Sequence, residues 1–182
     1  MTCIILIFVG GVNLKQFLLI GIIGAAGALL VVSIMSRNYD YIQKRIQSWV
    51  DPFADSQGNT WQTCQSLIAI GSGGLFGLGL GESRQKYLYL PETKNDFVFS
   101  IVCEELGLVG ALTVVLLFTL LVIRGFYIAM RAKDKFGMLM AIGLTSHIGL
   151  QAFFNIAVVS NLIPNTGISL PFFSYGGTAL IL

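Results

Sequence analysis

Asp96 is the residue of this sequence best placed to do chemistry. It lies in Tyr89-Leu90-Pro91-Glu92-Thr93-Lys94-Asn95-Asp96-Phe97-Val98-Phe99, where a long polar stretch gives way to an apolar run. A carboxylate at such a seam can accept a proton from a hydroxyl group. Thr93 and Asp96 also fit a Ser/Thr-x-x-Asp/Glu capping box. On that reading Asp96 merely opens a helix, where the dipole favours negative charge. Glu104 and Glu105 follow ~12 Å further along a regular helix and turn away from Asp96. That separation is too large for the carboxylate pair of a retaining glycosidase. A carboxylate buried near lipid needs a partner, and Arg84 and Lys86 are the nearby cations that could fold back.

The elements that must position Asp96 are apolar. Of the 182 residues, 55% are hydrophobic and 11% charged, whereas soluble domains carry about a quarter charged residues. Lipid is therefore the expected solvent, and several uncharged runs reach the ~20 residues needed to span a bilayer. The net charge of +2 is too small and scattered for a nucleic-acid partner. Cys3, Cys64 and Cys103 lack metal-ligand spacing and are expected as free thiols. The N-terminus has no basic region or small-residue cleavage site, so it does not read as a secretory signal. Apolar runs at both ends suggest part of a larger membrane protein.

The expected fold class is all-α, a polytopic transmembrane helix bundle with a long outer loop carrying short helices and a re-entrant loop. Spans are expected at about 1–9 (partial), 16–36, 97–124, 136–160 and 172–182 (partial), with the large outer loop at 37–96. Gly21, Gly24 and Gly27 would admit a neighbouring helix closely. In the loop, Tyr39, Ile42, Ile46, Trp49 and Val50 have the spacing of a surface amphipathic helix or a solvated connector. Thr60 to Ile70 suggests a second short helix with Trp61, Cys64, Leu67 and Ile68 along one side. The stretch Gly71 to Gly81 is too glycine-rich for a spanning helix, at ~1 kcal/mol per Gly relative to Ala, and lacks the P-loop Gly-Lys-Ser/Thr. It is either an anion cradle of backbone N–H groups or a close-packed turn.

Arg124, Arg131, Lys133 and Lys135 mark a cytoplasmic connection by the positive-inside rule, which puts the long loop on the outer face. His147, Gln151 and Asn155, spaced by four, share one helix face and suggest an inward hydrogen-bonded seam. His147 is also a candidate proton relay. Residues 160–178, with two prolines and three glycines in apolar surroundings, suggest a re-entrant loop. Irregular backbone at membrane depth is tolerated only where protein or a cavity covers it.

Five motifs then carry a family resemblance: Gln62-x-x-Gln65-Ser66-Leu67; Gly77-Leu78-Gly79-Leu80-Gly81-x-Ser83-x-Gln85-Lys86; Leu90-Pro91-Glu92-x-x-x-Asp96-Phe97-x-Phe99; Glu104-Glu105-Leu106-Gly107; and Ile163-Pro164-x-Thr166-Gly167-x-x-Leu170-Pro171-Phe172-x-Ser174-Tyr175-Gly176-Gly177. In this order they resemble the SEDS family (FtsW, RodA and SpoVE) of shape, elongation, division and sporulation proteins, and look closer to its division and sporulation branch. The chain departs from the family pattern at Asn95, where Thr is usual, and at Asn59-Thr60-Trp61-Gln62, where Gly-Tyr-Gln is usual.

The resemblance implies a ten-helix protein of the bacterial plasma membrane, of which about the second half is present. It implies a glycosyltransferase that polymerises lipid II into glycan strands beside a class B penicillin-binding protein and other division proteins. It places the essential carboxylate on Asp96. Lys86, Arg84, Glu92, Gln65, Ser174 and Tyr175 are the expected substrate-binding residues. A divalent cation could assist the departing pyrophosphate, although no ligand cluster in the sequence marks one. The competing expectation is a lipid II flippase or a scaffold of the division machinery without chemistry.

Overall fold

The computed structural model describes residues 2–10, 21–22, 24, 26–27, 49–53, 60–83 and 96–175. Every regular element among them is helical: α1 (Thr2–Val9), α2 (Trp61–Ser72), α3 (Val98–Met130) and α4 (Lys135–Val159). The 33-residue α3 and the 25-residue α4 are long and apolar enough to cross a membrane. These two helices cover the stretches expected at 97–124 and 136–160, and α3 runs six residues beyond 124. The 16–36 span and the upstream part of the amphipathic helix lie mainly outside the described residues. Gly21, Gly24 and Gly27 are helical, but among the described residues nothing approaches within 4 Å of them.

The chain divides into two compact units. In the first, Met1–Gln43 with Val122–His147, close helix contact is made at other small residues. A Cβ at Gly125 would collide with the Thr145 side chain, and one at Gly143 would lie 3.2 Å from Leu6 of α1. Small residues permit such approach where lipid offers no hydrophobic drive between helices. The link between α3 and α4 is short because Asp134 caps α4, its Oδ2 accepting the Gly137 N–H at 2.8 Å. The guanidinium groups of Arg124 and Arg131 lie 5.2 and 4.4 Å from the centre of the Tyr127 ring.

The second unit, Lys44–Leu121 with Ile148–Leu182, holds the seam. Its core is Phe97, Phe99, Cys103, Val114, Phe118, Ala152, Val159 and Leu170. Thr113 and Thr119 on α3 return their hydroxyls to the carbonyls four residues back, each at 2.8 Å. Both side chains thereby stay satisfied in apolar surroundings. Helix α2 matches the expected short helix. Cys64, Gln65, Ser66 and Ala69 point inward, while Ile68 is exposed. The reason is polar: Ser66 Oγ donates to the Val159 carbonyl at 2.9 Å, fastening α2 to the end of α4. Trp49 and Asn161 add a reciprocal clasp, Trp49 Nε1 to Asn161 O and Asn161 Nδ2 to Trp49 O, both 3.1 Å. All three cysteines are free.

Helix α3 is interrupted at Gly107 (φ 68°, ψ −163°). The break strands the carbonyls of Glu104 and Glu105 and the N–H groups of Leu108 and Val109, which would otherwise bond to one another. The glycine-rich turn after α2 takes up all four. Leu78 and Gly79 donate to Glu104 O and Glu105 O at 3.0 Å, while Leu108 and Val109 donate to Gly74 O and Leu75 O at 2.9 and 3.3 Å. Unpaired backbone groups at membrane depth are too costly to leave, so the break and the turn require each other. Glycine is needed on both sides. A Cβ at Gly77 (φ 79°) would strike Glu105 O, and one at Gly107 would strike the Gly77 amide. The turn is therefore the close-packed alternative and not an anion cradle, since Gly77, Leu78 and Gly79 spend their N–H groups on protein carbonyls.

Candidate active site

Asp96 stands in a turn two residues ahead of α3, not within its first turn. The helix start is secured separately, by Ser100 N–H and Oγ donating to Phe97 O at 3.1 and 2.6 Å. Asp96 is partly exposed, whereas Phe97, its neighbour, is buried. The carboxylate faces the irregular stretch after α4: a methyl group built at Gly167 would lie 3.5 Å from Asp96 Oδ2. Residues 160–175 are non-helical, as expected of the re-entrant stretch.

That stretch is held against α4 by the polar stripe. Gln151 Nε2 donates to Ser169 O at 3.1 Å. Asn155 Nδ2 donates twice, to Ile168 O at 2.6 Å and to the backbone carbonyl of Asp96 at 2.7 Å. The seam expected from the i, i+4 spacing is thus formed by Gln151 and Asn155. His147 is half-buried and has no hydrogen-bond partner among the described residues. Further along, Phe172 takes a left-handed backbone (φ 65°), a costly conformation for a bulky residue. It is held there by a tight turn in which Ser174 N–H donates to Leu170 O and Leu170 N–H donates to Ser174 Oγ. The turn sets Phe172 and Phe173 against Phe118, with ring centres 6.5 and 6.2 Å apart. These rings, with Val114, Leu117 and Leu121, line an apolar hollow of about 110 Å³.

The expected site residues fall into three groups. Asp96 borders the irregular stretch. Gln65 is buried in α2, Ser174 is buried within the turn just described, and Tyr175 is exposed. Arg84, Lys86 and Glu92 lie outside the described residues. Sequence reasoning missed Ser83 and the role of Glu104. Glu104 is 1% exposed, and Ser83 Oγ donates to its Oε2 at 2.5 Å. The Ser83 hydroxyl is one partner of this carboxylate; Arg84 and Lys86, the cations that could fold back, lie outside the described residues. The signal available was Ser83 itself, which sits directly after the glycine run whose backbone joins Glu104 and Glu105.

A family model described as cell cycle protein, covering FtsW, RodA and SpoVE, matches residues 1–182. The chain belongs to the FtsW/RodA/SpoVE family. It is 49% identical over 181 residues to stage V sporulation protein E of Bacillus subtilis (strain 168), covering 100% of this chain and 48% of that protein. It is 46% identical over 186 residues to the probable peptidoglycan glycosyltransferase FtsW of the same organism, covering 100% of this chain and 46% of that one. The chain thus spans about half the length of the curated relatives it matches. Among solved structures, it resembles a chain described under structural coordination of polymerization and crosslinking by a peptidoglycan synthase complex. That match has a TM-score of 0.68 and 29% identity, covering 97% of this chain and 47% of the other. Family membership and the two long apolar helices together make this an integral membrane protein.

Proposed function

We propose that this chain forms the catalytic half of a peptidoglycan glycosyltransferase that polymerises lipid II, with Asp96 as general base. The observation that carries the reading is the position of Asp96. Its carboxylate borders a non-helical stretch, and its backbone is fastened to that stretch through Asn155. The name of the B. subtilis FtsW relative, a probable peptidoglycan glycosyltransferase, supports the activity. In the reaction, the 4-hydroxyl of the acceptor sugar attacks the anomeric carbon of the donor strand and the lipid pyrophosphate leaves. Asp96 accepts the hydroxyl proton, a role typically worth roughly 10²–10⁴-fold. Arg84 and Lys86 supply positive charge for the departing pyrophosphate. Because the leaving group is already activated as a phosphate ester, one carboxylate suffices.

The basic residues around the α3–α4 link support a cytoplasmic position for that link by the positive-inside rule, and with it an outer-face position for Asp96, on the side where lipid II would be consumed. A class B penicillin-binding protein is the proposed partner, together with other division proteins. The deciding experiment reconstitutes the full-length protein with that partner and labelled lipid II. Glycan strands are expected from the wild type and none from Asp96→Asn at equal folded yield. Transfer of lipid II between leaflets without polymerisation would favour the flippase reading instead.

A further inference from the structure

We propose that Asn155 is a positioning residue for the Asp96 carboxylate, acting on turnover and not on substrate affinity. This inference rests on the reading of Asp96 as the proton acceptor.

The side chain of Asn155 is 1% exposed. Its one amide nitrogen has two N–H groups, and both are committed: one to Asp96 O, 59 residues away, the other to Ile168 O, 13 residues away. Both partners are carbonyls, which only accept, so the nitrogen must face them and Oδ1 must face the other way. Oδ1 is buried there with no hydrogen-bond partner. An orphaned buried acceptor works against stability, and a buried unsatisfied group in a native structure calls for an explanation other than packing. The explanation here is the double donation, which no smaller or apolar side chain can reproduce.

That donation reaches both walls of the site. Asp96 precedes the first turn of α3, so no regular helix geometry holds it. Ile168 directly follows Gly167, the residue that the Asp96 carboxylate faces. One planar amide therefore sets the distance between the proton acceptor and the chain opposite it. A displacement of ~1 Å at a reacting group can cost ~10²-fold in rate while leaving binding nearly intact. Gln151, one helical turn earlier, grips the same stretch at Ser169 without touching Asp96. The link to the carboxylate's own backbone belongs to Asn155.

The test uses the full-length protein in proteoliposomes with lipid II, with kcat and KM measured for Asn155→Asp, Asn155→Ser and Asp96→Asn. Asparagine to aspartate keeps the shape and removes both donors. It is expected to lower kcat about 100-fold with KM within about 3-fold. Serine retains one donor and is expected to recover part of the rate, to about 10-fold below wild type. A purely structural role would instead lower activity in proportion to folded protein, read by size-exclusion yield. That outcome, or a change confined to KM, or equal rates for the serine and aspartate variants, overturns the proposal. If Asp96→Asn is inactive while Asn155→Asp turns over normally, the positioning role alone is wrong. If Asp96→Asn retains the wild-type rate, both the general-base reading and this inference are wrong.

Discussion

Replacing Gly77 by alanine should unfasten the glycine turn from the break in α3. The new methyl group would strike the carbonyl of Glu105 and lie 2.7 Å from the amide of Gly107, and the residue would be held at φ 79°. The left-handed backbone alone costs an L-residue ~1–2 kcal/mol. Relieving the collision requires the turn to retreat, which puts at risk the four backbone bonds joining residues 74–79 to 104–109. At ~1 kcal/mol net for each bond, loss of all four brings the total to about 5–6 kcal/mol, a large share of the ~5–15 kcal/mol typical of a domain. Gly71, six residues earlier, is the internal control. It lies inside α2 with no atom within 4 Å of its missing Cβ, so alanine there should stabilise by ~0.5–1 kcal/mol. Both variants are to be compared by reversible SDS unfolding in mixed micelles. The reasoning is refuted if Gly77→Ala unfolds at the same SDS fraction as Gly71→Ala.

Three further outcomes are expected. Ser66→Ala removes the buried bond to Val159 O and should cost ~1–2 kcal/mol, measured by the same unfolding assay, with Ser66→Thr intermediate. Gly125→Val should separate the close contact with Thr145 and lower the melting temperature of the purified protein. The double variant Gly125→Val/Thr145→Ala should recover part of the loss, because coupled neighbours are non-additive. Trp49→Phe deletes one bond of the Trp49–Asn161 pair and should destabilise by ~1 kcal/mol; combined with Asn161→Ala it should cost less than the two changes separately, as read by a double-mutant cycle.

Much of this molecule is legible in one dimension. Charge-free runs of spanning length announce α3 and α4, because lipid demands unbroken apolar stretches whatever the neighbours are. The i, i+4 spacing of Gln151 and Asn155 announces a polar face, and the ordered motifs announce the family. Other features escaped. The inward face of α2 is set by a single hydroxyl bond from Ser66 to the end of α4, and Ile68 stays exposed although hydropathy favours its burial. The hydroxyl that Ser83 gives to Glu104 comes from 21 residues away, with no periodic pattern between them.

What the order of residues determined by itself was solvent and class: a helical membrane protein with an acidic residue at the start of a span. Local composition suffices for that, since hydrophobicity and helical period act over neighbouring residues. Only the tertiary structure decided that Gly107 interrupts α3, that a distant glycine turn repairs the interruption, and that Asn155 ties Asp96 to the chain beyond Gly167. The last two rest on hydrogen bonds between groups 13 to 59 residues apart. Such a bond leaves no periodic trace along the chain, because its donor and acceptor meet only when the helices between them have packed.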